Sequence, residues 1–261
     1  MDDRSRLTAL LEEDLDTHLI TLKFLGLFGE RCGLRLDSSA SGWASLVWFD
    51  AKLFPWDRQT YPEARFIVFL DGTAASLLPS LAASIPSGPV VFKSSDPRAQ
   101  AFLEDSLKVP CVRRFLWYTG SLTRGDSGRN VSEVLGPDPA FDELLASNGY
   151  DATDSLEFWR RGARGYLAEE DGEPRAFCLA YPNHGRVWEV ASVKTLDGHQ
   201  RRGFASQVVR AAVHGITTRG HRVRYHVDAE NGPSRALAES LGLHAHVEAR
   251  HYAGFSGSID K

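Results

Sequence analysis

VWEVASVKTLDGHQRRGFAS, residues 187–206, holds a strand, a loop and a helix start in one run. Arg186 to Thr195 reads as a strand that opens into a polar loop carrying Gln200, Arg201 and Arg202. Gly203 then begins a helix from Phe204 to about Arg219. Its apolar positions Phe204, Val208, Val209, Ala212, Val213 and Ile216 recur with the helical period, and Gly220 ends it. The first N–H groups of a helix have no partner within it, and the helix dipole makes that end partly positive. Gly203 allows close approach of the backbone to a ligand, and Ala205 keeps the first turn small. With the charge of Arg201 and Arg202, this loop reads as a pyrophosphate cradle.

The same grammar extends on both sides. Upstream, Val131 to Leu135 reads as a strand, Asp138 to Ser147 and Ser155 to Arg161 as helices, and Gly165 to Glu169 and Arg175 to Tyr181 as strands. Glu170-Asp171-Gly172 and Asn183-His184-Gly185 supply the hairpin turns. Downstream come a strand, Val223 to Val227, a helix, Ser234 to Leu241, and a last strand, His246 to Tyr252. Residues 119–129, rich in Gly, Ser, Thr and charge, have the composition of a linker. A boundary there divides the chain into an N-terminal domain, 1–125, and a C-terminal domain, 126–261.

The N-terminal part alternates strand and helix signals, an α/β pattern. Leu7, Leu11, Leu15, Leu19, Leu22 and Leu25 lie on one helical stripe and predict a single core-facing helix. Ala44 to Phe49, Phe66 to Leu70, Pro89 to Lys93 and Val112 to Tyr118 read as strands, Thr73 to Ile85 as a helix, and Asp96 as the cap of a helix reaching Leu107. This half contains no phosphate-binding glycine loop.

Composition bounds the function. The 261 residues, 43% hydrophobic and 25% charged, are those of an ordinary globular protein. Thirty Lys+Arg against 34 Asp+Glu leave a net charge of −4, without the basic excess of a nucleic-acid binder. No stretch is apolar enough to span a membrane. Cys32, Cys111 and Cys178 show no C-x-x-C spacing, which argues against a disulfide framework or structural zinc and for a cytoplasmic setting. The histidines near His244 and His246 lack a third ligand close in sequence, so no metal site is expected.

Gln200-Arg201-Arg202-Gly203-Phe204-Ala205 resembles the Q/R-x-x-G-x-G/A acyl-CoA loop of the GNAT N-acyltransferase superfamily. Val193-Lys194-Thr195 resembles its V-x-T strand end, and residues 231–243, NGPSRALAESLGL, its N-x-x-S-x-x-L-x-x-x-L-G-F segment. The resemblance covers residues 129–252 and implies a GNAT fold, a mixed α/β sheet, in the C-terminal half. The N-terminal half faintly resembles the degenerate first half of tandem members such as glycine N-acyltransferase-like proteins. It is expected to shape the acceptor pocket or to stabilise the fold.

The resemblance further implies acetyl-CoA as donor and a small amine or peptide as acceptor, in a monomer or homodimer. By that analogy Val193 and Thr195 pair with pantetheine through their backbones. The amides from Arg201 to Ser206 hold the pyrophosphate, and Asn231 and Ser234 lie along the pantetheine and thiol. A protonated amine must lose a proton before it attacks a thioester. The resemblance implies Glu189, at its place on the central strand, as the candidate base, acting directly or through water; Trp188 and Glu189 face opposite sides of the strand, so a core-packed Trp188 turns Glu189 towards the cleft. Rim or orienting duty is the competing role. The tyrosine that the family often carries after the leucine of the second segment is Ala238 here, which leaves Tyr225, His226, Ser234 or solvent to protonate the thiolate. An acyl-CoA sensor without catalysis is the alternative reading.

Overall fold

The computed structural model describes residues 2–122, 130–150 and 152–255, so most of the linker read at 119–129 lies outside the described residues. The chain forms two compact units, Met1–Phe115 with Val247–Lys261, and Leu116–His246.

In the first unit, α1 (Asp3–Glu12) and α2 (Leu15–Phe28) replace the single helix expected from the leucine stripe. The break is a capping event: Asp14 leaves helical geometry and its carboxylate accepts from the Thr17 N–H at 3.3 Å. The stripe survives it, with Leu7, Leu11, Leu19, Leu22 and Leu25 all buried. Next come β1 (Gly33–Ser39), which the sequence reading did not separate from the helix exit, β2 (Gly42–Asp50), α3 (Pro55–Thr60) and β3 (Phe66–Gly72). The helix expected over 73–85 shrinks to a 3-10 turn and α4 (Leu78–Ala82); Ala74, at its start, offers no capping oxygen. β4 (Val90–Ser94), α5 (Pro97–Ala101) capped by Asp96, and β5 (Cys111–Thr119) follow.

Strands β1 to β4 lie in chain order, β3 and β4 being parallel. On the other side of β4 lies the end of the chain: in β11 (His244–Phe255), residues from Arg250 to Phe255 pair antiparallel with Ser94 to Val90. The division drawn from the sequence ran the second domain to 261. Of the described residues, Val247 to Phe255 group with the first unit, where Arg250 to Phe255 pair with β4. The β3–β4 ladder ends at Val68↔Phe92. Beyond it the two strand ends are tied by side chains, Gly72 N–H donating to Asp96 Oδ2 at 2.8 Å and Ser94 Oγ to Leu70 O at 3.5 Å.

A buried polar group closes the α2 side of this unit. Asp71 receives Thr21 Oγ1 at 2.6 Å and faces His18 Nδ1 at 2.7 Å. Burial alone would depress the His18 pKa, but the hydrogen bond and charge of Asp71, with Asp96 and Asp14, hold it above the ordinary value. A raised folded-state pKa adds stability that is complete below the unfolded value of about 6.5 and is lost as pH rises through the folded value. The stability gap between wild type and His18→Gln, from urea unfolding, is therefore expected to widen at acid pH and narrow at alkaline pH. A gap independent of pH would contradict the assignment.

The second unit carries β6 (Val131–Val134), α6 (Pro139–Ala146), α7 (Ala152–Arg160), β7 (Arg164–Glu170), β8 (Glu173–His184), β9 (Val187–Thr195), α8 (Phe204–Thr218), β10 (Arg222–Asp228) and α9 (Gly232–Ser240). Its sheet runs from the end of β5 through β10, β9, β8 and β7 to β6. β9 and β10 are parallel, and β6 to β9 are antiparallel neighbours. Helices cover both faces. The apolar stripe of α8 packs with Ala176, Cys178, Ala180, Val190, Val223, Tyr225 and Ala238 on one face, and Phe141, Leu145 and Trp159 pack with Phe177, Leu179 and Tyr181 on the other. Gly215 permits the close seating of α8: a Cβ there would lie 2.4 Å from the Tyr166 hydroxyl. No helix among the described residues is long and apolar enough to cross a membrane.

Candidate functional site

The site begins where two parallel strands part. The β9–β10 ladder runs from Val187↔Arg222 to Val190↔Tyr225 and stops, whereas the β8–β9 ladder continues to Ala176↔Thr195. A one-residue bulge separates Ala191 from Lys194 in that second ladder, and within it Ser192 adopts a φ of +54°. Such a bulge bends its strand and increases its twist. The Ser192 hydroxyl is held by Asn148 Nδ2 at 3.0 Å. Val193 and Thr195 lie on the stretch of β9 past the end of its ladder with β10, both half-buried.

The loop from Leu196 leads into α8. Gln200 folds back on the loop, its Oε1 accepting from the Gly198 N–H at 3.1 Å and its Nε2 donating to Asp197 at 3.3 Å. Arg201 and Gly203 both have left-handed backbone, with φ of +62° and +87°. Gly203 is the N-cap of α8 and brings no capping side chain, and the first helical bond runs from the Gln207 N–H to Gly203 O at 3.1 Å. The amides of Phe204, Ala205 and Ser206 thus precede the first bond within the helix. A Cβ built at Gly203 meets nothing within 4 Å, so the space beside Gly203 is open. The Phe204 side chain is buried in the α8 core. Arg202 is exposed and its guanidinium bonds both oxygens of Glu170, at 2.6 and 2.9 Å.

Asn231 and Ser234 meet at the start of α9. Asn231 Oδ1 accepts from the Ser234 N–H at 3.1 Å, and Ser234 Oγ lies 2.7 Å from Tyr225 Oη. Burial pushes the Tyr225 phenol up to about 12. Of the groups considered for protonating a thiolate, Tyr225 and Ser234 therefore form one bonded pair on the α8–α9 side. Ala238 is wholly buried in that core.

Glu189 lies on the opposite face, as the alternation with Trp188 requires: Trp188 packs against the α8 core, while Glu189 stands in register with Tyr181 on β8 and Arg224 on β10. It is 4% exposed. Its Oε1 accepts from Tyr181 Oη at 2.7 Å, and Oε2 accepts from Asn183 Nδ2 at 2.7 Å and from the Arg224 guanidinium. His226 Nδ1 is 3.9 Å from Oε1. Burial and the neighbouring Glu189 charge hold Tyr181 protonated far above the usual phenol range.

The sequence reading missed Tyr181, Asn183 and Arg224 as partners of Glu189. One signal was present: along β10 the polar Arg222, Arg224, His226 and Asp228 alternate with apolar Val223, Tyr225 and Val227. Glu170 and Arg210 were also missed. With Arg202, Ser206 and the β7–β8 turn they line a cavity of about 800 Å³ beside the first turns of α8. Cys178 is fully buried and burial raises its pKa, the state of a small packed hydrophobe.

Residues 172–252 match the family model described as FR47-like protein. No curated protein matches the chain by sequence. Among solved structures, a GCN5-related N-acetyltransferase from Kribbella flavida aligns over 99% of this chain and 98% of its own, at 16% identity and a TM-score of 0.58. One from Sphaerobacter thermophilus covers 95% and 90%, at 12% identity and a TM-score of 0.61. A tandem GNAT protein from the clavulanic acid biosynthesis pathway covers 93% and 89%, at 11% identity and a TM-score of 0.55. The chain has the GNAT fold of these structures, with β9 and β10 parting after Val190 and α8 starting at Gly203, and its residues 172–252 match the FR47-like family model.

Proposed function

We propose that the protein transfers an acetyl group from acetyl-CoA to a primary amine by direct attack. The observations that carry this reading are the uncapped start of α8, open at Gly203, and the parting of β9 from β10 after Val190. Backbone amides from Arg201 to Ser206 would receive the pyrophosphate, since a helix start offers unpaired N–H groups and a favourable dipole. The β9 edge at Val193 and Thr195 would pair with pantetheine. Asn231 and Ser234 would border the thiol, with the Tyr225–Ser234 pair as its proton source. The donor supplies an activated acyl carbon; the chain positions it, excludes water and removes a proton from the amine.

Glu189 carries the negative charge of the acceptor face and takes part in that proton removal, directly or through an intermediary.

The N-terminal residues, 1–125 in the division drawn from the sequence, belong in this reading to a half that binds no acyl-CoA. Within the first unit the ends of β3 and β4 are tied through Asp96 and Ser94, and no glycine loop follows β3. Calorimetric titration with acetyl-CoA, with CoA alongside, is expected to give micromolar binding and one site per chain. Two sites would contradict the assignment of the first half, and no binding of either compound would remove the transferase reading. Release of CoA thiol in the presence of amines then tests turnover.

A further inference from the structure

The Glu189 carboxylate is poorly placed to take the proton itself. Oε1 already accepts from Tyr181, and Oε2 from Asn183 and Arg224. A proton arriving on Oε2 would compete with a buried guanidinium, and breaking a buried ion pair from one side is strongly destabilising. His226 is differently situated. It is the first β10 residue past the end of the β9 ladder, on the face shared by Glu189 and Arg224; its side chain is 22% exposed, with Nδ1 towards Glu189 and Nε2 buried. An imidazole can accept a proton near neutral pH, and a carboxylate within about 4–6 Å favours its charged form.

Resting on the transferase reading, we propose that His226 is the group that takes the proton from the acceptor amine, with Glu189 as the buried counter-charge that stabilises the imidazolium at 3.9 Å. One proton of the ammonium passes to the imidazole. The freed nitrogen lone pair forms a C–N bond with the thioester carbonyl carbon, and the C–S bond breaks with its electron pair on sulfur. The second proton shed by nitrogen ends on sulfur, giving CoA thiol, and the imidazolium returns its proton to solvent. The charged or titratable groups sharing this face are Tyr181 and Glu189 from β8 and β9, Arg222, Arg224 and Asp228 from β10, and His246, whose ring packs on Trp117 of β5. Arg224 opposes the imidazolium, and Glu189 must outweigh it.

The test uses the full chain. NMR titration of labelled histidines, with the His226 signal assigned through His226→Gln, is expected to show His226 losing its proton at a pH roughly one unit higher in wild type than in Glu189→Gln. If that variant fails to fold, Glu189→Gln with Arg224→Met carries the comparison. Equal midpoints, or no titration of His226 between pH 5 and 9, overturn the inference. In parallel, His226→Gln is expected to bind acetyl-CoA as wild type does. It should lose about 10²–10⁴-fold in thiol release with ethylamine. The loss should be much smaller with hydroxylamine, which is already unprotonated at neutral pH and needs no base. Undiminished transfer to ethylamine overturns the role of His226 alone. Failure of the wild-type protein to bind acetyl-CoA overturns the transferase reading and leaves the titration result intact, so the two failures are distinguishable.

Discussion

Gly203→Glu is expected to abolish acetyl-CoA binding, by at least 100-fold in calorimetric affinity, while the protein stays folded. Two effects combine. The new side chain extends from Gly203 into open space, and its carboxylate competes for the positive helix end that a pyrophosphate would use. Any side chain at a φ of +87° also strains the backbone, by about 1–2 kcal/mol. Gly203→Ala isolates that strain, because its methyl group meets nothing within 4 Å. The alanine variant should melt a few degrees below wild type and keep most of its affinity. A glutamate variant that binds acetyl-CoA normally would place the donor elsewhere.

Glu189→Gln should reduce acetyl transfer by 100-fold or more and also destabilise the second unit. The stability loss comes from Arg224, which the substitution leaves charged and unpaired at a buried position. Breaking such a pair from one side costs about 3–5 kcal/mol. Replacing both partners, as Glu189→Gln with Arg224→Met, removes the stranded charge and is expected to recover most of the stability. Activity should not recover with it, since the negative charge of the acceptor face is still missing. Urea unfolding alongside thiol-release assays separates the two roles. Recovery of activity in the double variant would show that Glu189 serves the fold and not the chemistry.

What could be read from the sequence was what depends on near neighbours. The amphipathic period of α8, its start at Gly203, and the opposite facing of Trp188 and Glu189 all follow from local geometry, and the α/β pattern of the second unit follows from their succession. The leucine stripe was legible too, but its interruption at Asp14 was not, because a capping carboxylate does not disturb the apolar spacing. The tertiary structure decided what depends on strand pairing. Tyr181, Glu189 and Arg224 become one network only through the registers of β8, β9 and β10, and they come from positions 181, 189 and 224 of the chain. The bulge at Ser192 and the end of the β9–β10 ladder at Val190 set where the strands part. The final strand joins β4, about 160 residues earlier, by backbone hydrogen bonds that carry little side-chain signature. Local periodicity is written in side-chain type, whereas register between distant strands is chosen by the sum of many weak contacts that no single stretch of sequence displays.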